Sequence, residues 1–249
     1  MTFISNSQQF IFVHLHKCGG TSVERALGDR LMWNDVMLGS SPYGEQLQQL
    51  YKPKFGLDKH SSAADIKALV GDELWDSYFT FATVRHPFDR IVSYYSYIKT
   101  FYINFYRGSV IRLMYQLDQM NLVTPAMTKV PKLYDSFRWP GVIAGLKSRS
   151  ISEFIHLDEC WASNGTIPQF YRLSDSAGTA LIVDYVSRLE DLNDNWAYIC
   201  EKTGTSRPLP RANKSKRKYK DWRKYFSLED INFLEEKYKA DLARFDYTI

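Results

Sequence analysis

The stretch His14-Leu-His-Lys-Cys-Gly-Gly-Thr-Ser22 decides how this chain is read. Ahead of it lies Gln9-Phe-Ile-Phe-Val13, a short apolar run with the make-up of a strand. Behind it, Val23-Glu-Arg-Ala-Leu27 has the make-up of a helix opening. A strand, a glycine turn and a helix start in that order leave backbone N–H groups unpaired, with the positive end of the helix dipole behind them. Gly19 and Gly20 let the chain turn tightly and let an anion come close. Lys17 adds a point charge ahead of the Cys18-Gly19-Gly20 backbone, and Thr21 and Ser22 add hydroxyl donors after it. The stretch predicts a phosphate cradle built from Lys17, Cys18, Gly19, Gly20, Thr21 and Ser22. The alternative is an ordinary strand-to-helix turn. A Walker A loop is excluded, because there the Lys follows the second Gly, and here it precedes the pair.

A second junction of the same kind follows. Ser77-Tyr-Phe-Thr-Phe-Ala-Thr-Val84 is apolar and β-rich and predicts a central strand. It runs into Arg85-His-Pro-Phe-Asp-Arg-Ile-Val-Ser93, with Pro87 suited to the first position of a helix. Arg85 offers a planar charged fork that matches phosphate, and Ser93 offers a hydroxyl. Asp89 and Arg90 read as local pairing or packing residues.

The order Lys-x-Gly-Gly-Thr-Ser after a strand resembles the 5′-phosphosulfate loop of sulfotransferases that use 3′-phosphoadenosine 5′-phosphosulfate (PAPS), in particular the carbohydrate-type (heparan and chondroitin sulfotransferase-like) family. Loops of that family begin His-x-Pro-Lys. Here His16 stands near that start and the usual Pro is absent. The second junction resembles the family's 3′-phosphate site, Arg-x-Pro-(aromatic)-Asp-Arg-(apolar)-(apolar)-Ser, in every element. The resemblance implies PAPS as donor, with no metal, and a hydroxyl-bearing acceptor, a glycan or a small molecule.

Lys59-His60-Ser61-Ser62-Ala-Ala-Asp65-Ile66 places His60 in a loop just ahead of a helix, since Ser62 and Asp65 form a capping-box pattern. An imidazole is the side chain best suited to take a hydroxyl proton near neutral pH. A solvated or capping histidine is the bland alternative. The resemblance implies that His60 is the general base, with Lys17 as its catalytic partner at the leaving phosphate.

Further along, Tyr94 to Tyr106 carries seven aromatic residues at helical spacing, read as core or as a stacking platform. Residues 107–150 hold no motif; the resemblance implies a variable acceptor-side region. Ser152 is expected to cap a short helix over 151–155. Residues 167–171 and 180–185 read as extended. Pro168-Gln-Phe, followed by Arg188-Leu-Glu-Asp-Leu192, also resembles the family, with Arg188 and Glu190 structural. A closing helix is expected to carry Ile231, Leu234, Tyr238, Leu242 and Phe245 on one stripe.

Composition sets the outer limits. At 249 residues the chain suits one α/β domain with insertions, or at most two small ones. Net charge is only +4, yet residues 207–224 hold nine basic residues against one acid, Asp221. A local basic arm favours a compact polyanion over nucleic acid. The resemblance implies a loop here that folds over the nucleotide, with Asn213, Lys214, Ser215 and Arg217 as contacts. Three cysteines give no even disulfide framework and no C-x-x-C pair, which fits a reducing compartment. No run approaches the ~20 apolar residues of a membrane span, and no basic n-region with an apolar h-region opens the chain. A soluble cytoplasmic protein is expected. Alternation of strands and helices predicts a central mainly parallel sheet flanked by helices, and the resemblance implies a single P-loop-like α/β domain over 1–249. Two other readings stay open on residues alone. An ATP-dependent kinase with a variant phosphate loop would need a Mg²⁺-holding carboxylate at a strand end, and a nucleic-acid-binding module would rest on the basic arm.

Overall fold

Phe10-Ile-Phe-Val13 folds as a strand, and the period of two sends its side chains alternately to two faces. The same division runs across its neighbours. In the computed structural model, which describes residues 2–104, 106–124, 136–210 and 217–249, the strands are β1 (Thr2–Ser5), β2 (Phe10–Val13), β3 (Val36–Leu38), β4 (Phe79–Val84) and β5 (Tyr185–Arg188). They form one sheet in the order β3-β1-β2-β4-β5. β2 pairs parallel with β4, and β4 parallel with β5. β1 is antiparallel to both of its neighbours, so β3 points the same way as β2 and the sheet is mainly parallel.

Two compact units emerge from the chain: Met1–Pro87 with Pro168–Lys214 and Lys239–Ile249, and Phe88–Ile167 with Ser215–Tyr238. The first holds the sheet. One sheet face, with Ile4, Ile11, Val13, Ala82 and Val84, is covered by the helices Ala63–Val70, Asp72–Ser77, Gln169–Leu173 and Lys239–Arg244. The other face, with Phe3, Phe10, Phe12 and Phe81, is covered by α1 (Gly20–Leu27) and the helix Leu192–Thr203. Helices therefore flank the sheet on both sides, the arrangement in which ligands meet the carboxyl ends of the strands.

The second unit is helical. Its core gathers Phe88, Val92, Phe154, Trp222, Leu234 and Tyr238. Arg90 is buried there and donates to the carbonyls of Gly165, Thr166 and Ile167 at 2.9, 3.3 and 2.8 Å. The helix Pro87–Ile98 gives way to a wider π-type turn at Lys99–Ile103, where the aromatic run continues.

Several local expectations are corrected. Residues 167–171 are not extended: Gln169–Leu173 is a helical turn whose first two N–H groups are taken by the Asp241 carboxylate. The last strand starts at Tyr185 rather than 180, because Asp184 accepts the Thr80 N–H that a paired strand would use. Ser150, not Ser152, caps the helix Ile151–Ile155, while the Ser152 hydroxyl donates to Asp230 at 2.9 Å. The closing helix is two, Leu228–Lys237 and Lys239–Arg244. The capping box expected at Ser62 is formed, and a second one opens the helix Leu228–Lys237 at Ser227.

Asp35 fastens the β1–β2 turn to the approach of β3. It accepts from the Ser7 N–H at 2.9 Å, the Ser7 hydroxyl at 2.7 Å and the Met32 N–H at 2.9 Å. Burial raises its pKa, but these donors outweigh that and hold it below the usual carboxylate value. A carboxylate depressed in the folded state stabilises above its unfolded pKa and loses that contribution as pH falls through the folded one. Asp35→Ala should therefore cost about 1–3 kcal/mol at pH 7. In urea unfolding the gap to the parent should narrow below about pH 4. A gap independent of pH would remove the ionised carboxylate from this role.

Candidate functional site

The turn between β2 and α1 is shaped by three backbone choices. Lys17 sits at φ 65° and Gly19 at φ 78°, both in the left-handed region that non-glycine residues rarely adopt. Gly19 also has no room for a Cβ, which would run into Leu189, and a Cβ on Gly20 would run into the His14 ring. Gly19 is required by conformation and both glycines by the close approach of a neighbouring side chain, where the sequence predicts a tight turn and room for an anion. α1 starts at Gly20 with no side-chain cap on its N-terminus and no acidic residue in its first turn. The Ser22 N–H closes the turn on the Gly19 carbonyl at 2.9 Å. An uncapped helix start beside a lysine fits an anion.

Arg85 stands where β4 ends, and its Nη1 donates to the Lys17 carbonyl at 3.2 Å. The arginine fork and the lysine-glycine turn are thus side by side in the first unit. The joint behind them is Gln169, which is fully buried. Its Oε1 accepts from the Arg85 N–H at 2.8 Å and from the Cys18 thiol at 3.1 Å. Its Nε2 donates to the Arg85 carbonyl at 2.9 Å and to Asp241 at 3.0 Å. Thr83 adds a 2.7 Å hydrogen bond to the Cys18 carbonyl.

His60 joins the same place. Its Nδ1 lies 3.1 Å from the His14 carbonyl oxygen, which can only accept, so Nδ1 carries the hydrogen and Nε2 the lone pair. Asp58 accepts the His60 N–H at 2.8 Å, and Arg172 donates to the His60 carbonyl. Burial pushes the His60 pKa well below the usual imidazole value, and positive charge on His16 and His14 pushes the same way. The ring is neutral at pH 7. Behind it, His14 Nδ1 lies 2.9 Å from Glu24 Oε1, with both side chains buried. Burial lowers the His14 pKa more than Glu24 raises it.

The chain matches the model of the Sulfotransferase family over residues 1–248. It belongs to that family. No curated protein and no solved structure matches it. The sulfotransferase is therefore a transferase whose family calls for a sulfuryl donor and a hydroxyl-bearing acceptor.

Not every expected residue of the sulfotransferase falls in this cluster. Ser93 is buried on the helix Pro87–Ile98 of the second unit. Arg217, also in that unit, forms an ion pair with Asp89 and reaches the Asp89 carbonyl at 3.5 Å. Asn213, Lys214 and Ser215 lie outside the described residues. Among the described residues no group of three or more His, Cys, Asp or Glu side chains is arranged to hold a metal. No helix among them is long and apolar enough to cross a membrane. A cleft of about 560 Å³ lies beside β5 rather than at the turn, lined in part by Val186, Arg188, Asp191, Asn195 and Arg244. Arg188 pairs there with Asp191 at 2.8 Å, and Arg244 covers the Phe170 ring. Glu190 accepts from the His86 N–H and the Tyr247 hydroxyl, a structural part for that residue.

Sequence reasoning missed Gln169 and Asp241 as members of the site. The Pro168-Gln-Phe pattern flagged the first, but only its tertiary contacts give it a role. Gln169→Ala would leave the Arg85 N–H and carbonyl without their partner in the interior. Stability should fall by about 2–4 kcal/mol in urea unfolding. Affinity for an adenosine bisphosphate should weaken along with it. Loss of stability with unchanged affinity would show that the amide does not set the site.

Proposed function

We propose that the chain moves a sulfuryl group from PAPS to a hydroxyl of a carbohydrate acceptor. The observation that carries this reading is the contact of Arg85 Nη1 with the Lys17 carbonyl. It sets a bidentate cation beside an uncapped helix start, and a molecule with phosphate at both ends is the ligand class that uses both. Lys17, Cys18, Gly19, Gly20, Thr21 and Ser22 take the 5′-phosphosulfate in this reading, and Arg85 takes the 3′-phosphate. Ser93, Asn213, Lys214, Ser215 and Arg217 are kept as nucleotide contacts on sequence pattern alone. So is a single sulfotransferase domain over 1–249, with its acceptor side in 107–150. The carbohydrate acceptor rests on the likeness of the two junctions to the carbohydrate-type loops. The three free thiols, Cys18, Cys160 and Cys200, suit a cytoplasmic setting.

When bound, the nucleotide supplies the sulfuryl group and a phosphate leaving group. His60 Nε2 takes the acceptor's hydroxyl proton as that oxygen bonds to sulfur and the bond from sulfur to the phosphate oxygen breaks. Lys17 and the N–H groups of the turn offset the charge that grows on the departing oxygen. Positioning by the turn and the arginine supplies the rest of the rate.

His60→Ala should lower kcat by about 10²–10⁴-fold in a PAPS assay scored by sulfate mass gain. Calorimetric affinity for 3′-phosphoadenosine 5′-phosphate without Mg²⁺ should stay near that of the parent. Arg85→Ala should weaken that affinity by about 1.5–3 kcal/mol, the range for a hydrogen bond to a charged group. Sulfotransfer that survives His60→Ala would remove His60 as the base. Nucleotide affinity indifferent to Arg85→Ala would remove the two-ended grip.

A further inference from the structure

One hydrogen bond does not fix a histidine ring. With Nδ1 on the His14 carbonyl, the His60 imidazole still has a broad torsion about its last bond. What limits it is packing on its faces. The His16 ring lies parallel to it, with centroids 3.5 Å apart and planes at 28°. The His14 ring meets it at 4.6 Å and 55°. His14 is itself wedged against Gly20 and beside Glu24, so it is a fixed wall. His16 is half-buried, on the residue next to Lys17, and forms the second wall.

We propose that His16 is a positioning residue for His60, its ring clamping the imidazole so that Nδ1 stays on the His14 carbonyl and Nε2 keeps the lone pair. The proposal rests on the reading of His60 as the base. It goes further in making the clamp a charge control as well. A proton on His16 sits against the His60 face and opposes a second proton there, so the two rings titrate as a coupled pair. The other groups around His60 are His14 on its second side, Lys59 next in the chain, the Arg172 guanidinium on its carbonyl and Asp58 on its N–H, with Glu24 beyond His14. Of the two acids, Glu24 faces His14 and Asp58 faces the backbone. Neither offers its carboxylate to the His60 ring in the contacts described, so His16 and His14 set the sign of the field there.

The clamp and the charge separate in two variants of the full chain. His16→Phe keeps a flat ring and drops the charge. Its kcat at pH 8 should stay within about twofold of the parent, while the acid limb of kcat/KM moves to higher pH because His60 then gains its proton more easily. His16→Ala drops both. Its kcat should fall about tenfold on the alkaline plateau with acceptor KM little changed, since orientation and not binding is lost, and its acid limb should move to higher pH as in His16→Phe. Nitrogen-15 imidazole spectra of the free protein give a readout that needs no turnover. His60 should titrate at higher pH in His16→Phe than in the parent, and in His16→Ala its single tautomer should give way to a mixture. Parent-like kcat and pH profile in His16→Ala, or an unmoved His60 titration in His16→Phe, would overturn the proposal. A His60→Ala protein that still turns over would instead remove the base assignment, leaving the spectra to judge the stack alone.

Discussion

The Gln169 side chain makes four hydrogen bonds and has no surface in water, so it cannot shift without leaving polar groups unpaired in the interior. It holds the Cys18 thiol and both backbone groups of Arg85 through one amide group. The separation of the glycine turn from the arginine fork is thereby set by the length of one amide. Asp241 fixes that amide in turn, and also takes the N–H groups of Gln169 and Phe170. A residue near the C-terminus therefore sets the geometry of a turn near the N-terminus, through a helix in between. Such a chain of bonds stays satisfied only as a whole, and buried networks of that kind favour one arrangement of their parts over many.

The strain in the turn makes sense against that rigidity. A lysine at φ 65° costs about 1–3 kcal/mol where glycine costs little, and it persists only where its surroundings over-determine it. The surroundings here are the Arg85 bond to the Lys17 carbonyl, the Thr83 bond to the next carbonyl and the thiol of Cys18 on Gln169. A glycine at 17 would relieve the strain and remove the cation. In the proposed donor grip, that charge is what the strain retains.

What the sequence disclosed and what it hid divide along the distance over which the forces act. The strand-turn-helix of residues 10–27, the capping box at Ser62 and the junction at Arg85 are local, and their signals lie within a few residues of each other. The covering of both sheet faces follows from alternation in β2 and β4. Hidden were features that other parts of the chain impose. β1 and β3 are four and three residues long, too short for periodicity to show. Gln169–Leu173 coils because Asp241 takes its leading N–H groups, and nothing near residue 169 announces that. Asp241 itself lay hidden on a helix read only for its apolar stripe. His60 was legible as a loop histidine ahead of a helix, but its place against His14 and His16 required the sheet to bring residues 14 and 60 together. The helical second unit, with residues 125–135 outside the described chain, gave the least away.

A site proposed to grip a polyanion and also to host a general base faces opposing demands. The cations that attract phosphate lower the affinity of a nearby imidazole for protons, which preserves the free base but weakens it. In that proposal Lys17 and Arg85 carry the first task, so the second must be managed around them. The buried Glu24 carboxylate, beside His14, places one negative charge on the far side of the histidine row. The structural arginines are turned elsewhere: Arg90 to three carbonyls, Arg217 to Asp89 and Arg188 to Asp191. The turn and the end of β4 carry the cations of the proposed grip, while Lys59 and Arg172 add positive charge beside His60. Burial, and positive charge on its neighbours, oppose a proton on His60. The base form therefore lasts further into acid than an isolated imidazole's would, at some loss of proton affinity when the acceptor hydroxyl arrives.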